Sequence, residues 1–148
     1  MDCALSLAHE AAHSGEVPVG AVVADATGRI VGQGRNACIA GHDATAHAEI
    51  MAMRQAGQTL GNYRLGGCVL VVTLEPCAMC AAAIVQARLD GLVYGAADTL
   101  AGAVCSRAEY LDAPAAARPT WHMGGVRGAA CRGLLQDFFA DRRNANQR

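Results

Sequence analysis

The 148-residue chain has no lysine: all 12 basic residues are arginine, set against 13 acidic ones for a formal net charge of −1. No overall field recruits nucleic acid or an anionic membrane, so partner choice falls to local patches. Long apolar runs are missing too. The 53% hydrophobic content is inflated by alanine, and the longest unbroken apolar stretch, Cys77 to Val85, is far short of the roughly 20 residues of a membrane span. No membrane segment is expected. The chain opens directly in helix-like sequence without the regions of a signal peptide, so a cytoplasmic protein is expected. Internal repeats, linkers and low-complexity segments are absent, and the length predicts a single domain over residues 1–148. A disulfide framework is also lacking, because the seven cysteines are odd in number and only Cys77 and Cys80 are close in sequence. That pattern favours reduced thiols and one metal-binding pair, with the other cysteines as small core residues.

What is there reads as alternating elements. Ala4, Leu5, Leu7, Ala8, Ala11 and Ala12 recur at helical spacing, with Gly15 as the stop. Val17 to Asp25 and Arg29 to Gly34 flank Thr27-Gly28 and predict a hairpin. Thr45 is placed to cap a second helix from about Ala46 to Ala56, closed by Gly57. Cys68 to Leu74 suits a strand buried on both faces, and Pro76 precedes a helix over Cys77 to Arg88. Short strands at Leu92 to Tyr94 and Thr120 to Met123, an irregular loop over Asp112 to Pro119 and an amphipathic helix from Arg127 to Arg143 complete the chain. The alternation predicts an α/β fold, a sheet with helices on both faces.

The chemistry sits in Thr45-Ala46-His47-Ala48-Glu49 and, about thirty residues later, Thr73-Leu74-Glu75-Pro76-Cys77-Ala78-Met79-Cys80. Cysteines three apart at a helix start point the same way, and the positive end of the helix dipole favours their thiolates. His47, from another helix start, supplies a third ligand, and two thiolates with one neutral imidazole cancel the charge of Zn²⁺. Three protein ligands leave a fourth position for water, as in a catalytic zinc site. Glu49 lies roughly 200° around a helix from His47, so it suits a proton shuttle better than a neighbouring ligand. Two other readings stay open: a structural zinc with a fourth ligand from His42, His122, Cys38, Cys68, Cys105 or Cys131, and a thiol redox pair. His9 and His13, four apart on the first helix, read as a solvated face.

With these motifs, the chain resembles the bacterial tRNA-specific adenosine deaminases of the cytidine deaminase-like zinc superfamily. The family's Gly-Glu-Val-Pro-Val-Gly-Ala-Val run stands at Gly15 to Val22, Asn-Tyr-Arg-Leu at Asn62 to Leu65, Val-Tyr-Gly-Ala at Val93 to Ala96, and Phe-Phe at Phe138 and Phe139. The resemblance implies a three-layer α/β/α fold around a mixed five-stranded sheet, a homodimer, and hydrolytic deamination of the wobble adenosine in a tRNA anticodon stem-loop. It implies His47, Cys77 and Cys80 as ligands of one Zn²⁺ per chain and Glu49 as the catalytic proton shuttle. Asn36 and the Ala48 backbone are implied as contacts to the flipped nucleoside, with Asp98, Phe138 and Phe139 as further substrate contacts; Arg143 is expected to contact phosphate because the arginines at the end of the last helix are the only concentrated positive charge in the chain. One of the two phenylalanines is expected to be buried and one to meet RNA. The chain departs from the family at Ala44 (usually Pro), Leu100 (usually Lys), Ala82 and Cys105 (both usually Gly), and at Ala116 to Arg118, where an Asn-His pair is usual. These departures leave the metal set intact and bear on the substrate, so the runner-up is a deaminase of a free nucleobase or nucleoside, such as guanine or cytosine.

Overall fold

Strand β1 (Gly20–Ala24) pairs antiparallel with β2 (Ile30–Arg35) through the expected hairpin, and its other edge takes β3 (Val69–Leu74), also antiparallel. Strands β4 (Gly91–Ala96) and β5 (Trp121–Met123) follow in parallel, giving the order β2-β1-β3-β4-β5. The computed structural model describes residues 1–112 and 119–146. The positions where the family has Asn-His, most of the expected loop at Asp112 to Pro119, and Arg148 lie outside them.

Helices α1 (Asp2–His13) and α5 (Gly128–Asn146) touch each other and pack on β1, β3 and β4, while α3 (Ala48–Leu60) and α4 (Ala78–Gln86) pack together on the opposite side. The result is the expected three-layer α/β/α fold around a mixed five-stranded sheet. Strand β3 is central, with Leu70 and Val72 fully buried; Val69 and Val71 on its other face are only half-buried, short of the two-faced burial expected. Together with Val23, Ile84 and Leu92 these side chains form the core under α3 and α4. Strand β2 carries Gly32 and Gly34 because a Cβ there would strike the α3 backbone at Ala52 and Ala48. The alanines and glycines at this contact let α3, and the site at its N-terminus, approach the sheet closely.

Two helix starts differ from expectation, and both place chemistry. Helix α3 begins at Ala48, with His47 in extended backbone at the cap position. Thr45 does not cap it, since its hydroxyl donates to Asp43 Oδ1 at 2.7 Å. The helix runs through Gly57 and ends at Gly61, whose φ of 62° is the left-handed conformation glycine adopts without strain. Helix α4 begins one residue later than expected, leaving Cys77 as its cap residue. A short helix α2 (Cys38–Gly41), without periodic signal in the sequence, bridges β2 and α3. Among the described residues, no helix is long and apolar enough to cross a membrane.

Candidate metal centre and active site

His47 ends the loop into α3, Cys77 caps α4, and Cys80 lies in the first turn of α4. The two helix starts face one another, so both sulfurs approach the same ring nitrogen: His47 Nδ1 lies 3.7 Å from Cys77 Sγ and 3.6 Å from Cys80 Sγ. A tetrahedral zinc with bonds of about 2.3 Å to sulfur and 2.0 Å to nitrogen separates a sulfur from a nitrogen donor by about 3.5 Å. The spacing and the soft donor set both fit Zn²⁺. These three are the only group of at least three potential metal donors among the described residues. None of the candidate fourth ligands joins them.

The local electrostatics favour a cation. Hydrogen bonds from Cys80 and from His47 hold the Cys77 thiol down to about 3, and the bond to Cys77 raises the His47 imidazole above its ordinary value. Cys80, hydrogen-bonded to Cys77 and buried, is pushed up. Glu49 is 4% exposed. Burial pushes its carboxyl up to about 7, opposed in part by the His47 charge and a hydrogen bond with Cys80. It therefore stands beside the cluster without being one of its three donors.

The other expected contacts separate into groups. Asn36 and Ala48 meet each other: the Ala48 N–H donates to Asn36 Oδ1 at 2.9 Å. Asn36 thus supplies from β2's end the cap that Thr45 does not. Asp98 turns into its own loop, accepting from the N–H groups of Leu100 and Ala101 at 2.9 and 3.1 Å. Phe138, Phe139 and Arg143 lie on α5, in the other helical layer. Neither phenylalanine is buried, contrary to expectation: the rings pack edge to face 5.4 Å apart, Phe138 is half-buried under the Arg142 guanidinium, and Phe139 is 42% exposed. Both lie in the C-terminal half of α5. Arg143 is exposed. Arg142 donates to the Gly15 carbonyl, and Arg127 pairs with Asp2 at 2.6 Å. His9 and His13 are exposed as expected. The remaining cysteines divide, Cys68 and Cys131 being buried, Cys38 half-buried, and Cys3 and Cys105 exposed.

Two buried carboxylates organise the site, although neither was singled out by its motif. Glu75 is 2% exposed. It accepts from the N–H groups of Asp98, Val104, Cys105 and Ser106 at 2.8 to 3.2 Å, and from the Ser106 hydroxyl. Burial raises its pKa, but the Ser106 hydroxyl and the backbone donors outweigh burial and hold it below the usual carboxylate value. The loop it gathers returns to the metal cluster, for Gly102 forms a bridge with Cys77. Glu16 is 3% exposed and accepts from the N–H groups of Ile39 and Ala40, both at 2.8 Å, fixing α2 ahead of His47. The available signal was an acidic residue set in an apolar run, which folds only if its charge meets donors. A groove of about 620 Å³ between α3 and α4, lined by Ile50, Met53, Leu65 and Ala83 among others, includes none of the three donors.

Comparison with known proteins agrees with this geometry. The family model for the cytidine and deoxycytidylate deaminase zinc-binding region matches residues 1–96, which contain His47, Glu49, Cys77 and Cys80. A tRNA(Ile)-lysidine synthase of Deinococcus radiodurans is 48% identical over 97% of this chain, which spans only 25% of that protein's length. A tRNA-specific adenosine deaminase of Haemophilus influenzae is 44% identical over 97% of this chain and 83% of its own. A solved structure, from biochemical and structural studies of A-to-I editing by tRNA:A34 deaminases at the wobble position of transfer RNA, has a TM-score of 0.88 and 41% identity. It covers 91% of this chain and 97% of its own. With its donor set, the carboxylate beside it and its sheet order all accounted for, the chain belongs to the zinc-binding cytidine and deoxycytidylate deaminase family.

Proposed function

We propose that this chain hydrolyses the wobble adenosine of a tRNA anticodon loop to inosine, releasing ammonia. The observation that carries the reading is the buried Glu49 carboxylate beside His47, Cys77 and Cys80, because a purely structural metal has no use for it. In this reading those three residues would hold the zinc, which would lower the pKa of the water that attacks the base. The Glu49 carboxylate takes one proton from the attacking water and hands it to the purine ring nitrogen, then takes the second from the hydroxyl added at C6 and hands it to the leaving amine, so that C6 is left as a carbonyl. Asn36 orients the flipped nucleoside. In this structure its Oδ1 is held by the Ala48 N–H, so contact of that N–H with a base edge requires the pair to separate. Phe138 and Phe139 face the nucleic acid from the end of α5, and Arg143 takes a phosphate.

Support for an RNA substrate is that the likeness to tRNA deaminases runs through nearly the whole chain, and that the end of α5 is tied to the site's edge. Arg142 holds Gly15, and the next residue, Glu16, fixes α2 ahead of His47. Leu100, 88% exposed where the family has a cation, favours the second reading, a free base or nucleoside. A homodimer in the cytoplasm completes the proposal, and sedimentation of the purified chain tests the dimer. The deciding experiment measures ammonia release from an anticodon stem-loop bearing wobble adenosine against free guanine, cytosine and their nucleosides. Turnover of the stem-loop alone is expected; turnover of a free base alone overturns the RNA reading and leaves the deaminase chemistry standing.

A further inference from the structure

A second histidine gathers a different set of side chains, at a distance from the metal donors and unused by the deaminase mechanism. His122 lies on the edge strand β5, opposite Leu92 of β4. Its Nε2 is 3.2 Å from Asp112 Oδ2, and its Nδ1 is 3.9 Å from Cys105 Sγ. The cysteine is exposed, and the His122 and Asp112 side chains are 22% and 54% exposed. Because the two partners take opposite ring nitrogens, their atoms do not converge on one point, and no shared metal position exists. They form a line of nucleophile, base and orienting carboxylate. Asp112 favours the tautomer with its proton on Nε2, which leaves Nδ1 as an acceptor for the thiol proton. Buried Tyr94 adds its hydroxyl to the sulfur; burial and Cys105 hold that phenol above its ordinary value, so it stays a donor. Cys105 also stands where the resembled family has glycine, so this line is no part of the family's pattern.

We propose that Cys105, His122 and Asp112 form a second reactive site, a surface thiol that exchanges with low-molecular-weight disulfides. The Cys105 thiol passes its proton to His122 Nδ1. The thiolate attacks one sulfur of the disulfide, forming a Cys105–S–S–R bond and breaking the original S–S bond. The departing thiolate takes the proton back from His122 and leaves as free thiol. Cys105 is oxidised and the departing sulfur reduced, so electrons and atoms balance within the exchange.

The test uses the zinc-loaded protein and glutathione disulfide, with mixed-disulfide formation followed at each cysteine by peptide mass spectrometry. Cys3 is the internal control, being exposed with no side-chain hydrogen bond at its sulfur among the described residues. A base within reach of the thiol proton speeds the attack by taking that proton as the S–S bond forms, so Cys105 is expected to react about 3- to 10-fold faster than Cys3. His122→Ala is expected to bring the ratio to about 1, and Asp112→Asn to an intermediate value, with the Cys3 rate unchanged in both. Equal rates in the parent protein overturn the proposal, as does a ratio that neither substitution lowers. Should His122→Ala fail to fold, the parent ratio and the Asp112→Asn ratio decide it.

Discussion

His47 and His122 each hold a cysteine within 4 Å, yet they are built for different chemistry. At His47 both sulfurs meet the same nitrogen, and the donors come from two helix starts fixed against the sheet. At His122 the partners sit on opposite nitrogens, at a strand edge and on loops open to solvent. One arrangement concentrates lone pairs on a point, as a cation requires; the other strings a proton path through the ring. The difference comes from where the chain places each histidine, not from the residue types. Glu75 lies between the two, because the loop it gathers contains both Gly102, bridged to Cys77, and Cys105, whose N–H it accepts at 2.8 Å.

Breaking the convergent set has the largest expected effect. Cys77→Ser with Cys80→Ser removes both thiolates, and metal analysis should fall from one zinc per chain to none, with deamination at the uncatalysed level. Zinc retained at full occupancy would refute the ligand assignment. Glu49→Ala comes next and separates binding from catalysis. It is expected to keep the zinc while losing roughly 10²-fold or more in kcat, the scale of general acid–base assistance. Loss of the metal from this variant would show that Glu49 is a ligand.

Glu75→Gln acts on the connection between the two clusters. It leaves at least one buried donor without its acceptor, at a cost of about 3 kcal/mol in unfolding free energy. Its folded-state pKa lies below the ordinary 4.5, so the parent's advantage is complete above that value and shrinks as pH falls through the folded pKa. Urea unfolding of both proteins from pH 7 to pH 3 should show the gap closing on the acid side only. A gap independent of pH would mean that the Glu75 charge does not hold the loop.

How much of this was legible follows the distance over which each contact acts. His47, Glu49, Cys77 and Cys80 could be read because each pair falls within one helical turn and the donor types have few other uses together. The start of α3 was misplaced because its first N–H is capped by Asn36, twelve residues away, while Thr45 sits at the position local rules favour. The role of Glu75 has no local signal, since its donors are in a loop beginning 23 residues later. Sequence alone offers Cys105 as a small core residue or a fourth zinc ligand, and His122 as a fourth zinc ligand. Their pairing depends on β5 lying beside β4, which no local pattern encodes.

Arg143→Ala tests the solvent side of the molecule, where Arg143 is exposed and Arg142 is already engaged by Gly15 and Phe138. The single substitution is therefore the cleaner probe, leaving α5 anchored. If Arg143 takes a phosphate, its loss raises KM for the stem-loop and flattens the log–log salt dependence by roughly one unit, with kcat unchanged. An unchanged slope would remove Arg143 from the RNA interface.

The smallest effect is expected from Cys105→Ala, and it bears most directly on the difference between His47 and His122. The Cys105 sulfur touches His122 and Tyr94 and none of the metal donors, while its contribution to the Glu75 loop is a backbone N–H that alanine retains. Surface substitutions of this kind usually change energies by about 0.5 kcal/mol or less. In reducing buffer, zinc content should therefore be unchanged and kcat/KM for the stem-loop should stay within about 2-fold of the parent. A larger loss would mean that the two histidine clusters work as one site, with the line through His122 serving deamination. An unchanged rate separates them: the convergent set then carries the hydrolysis alone, and Cys105 is free to react without being needed for it.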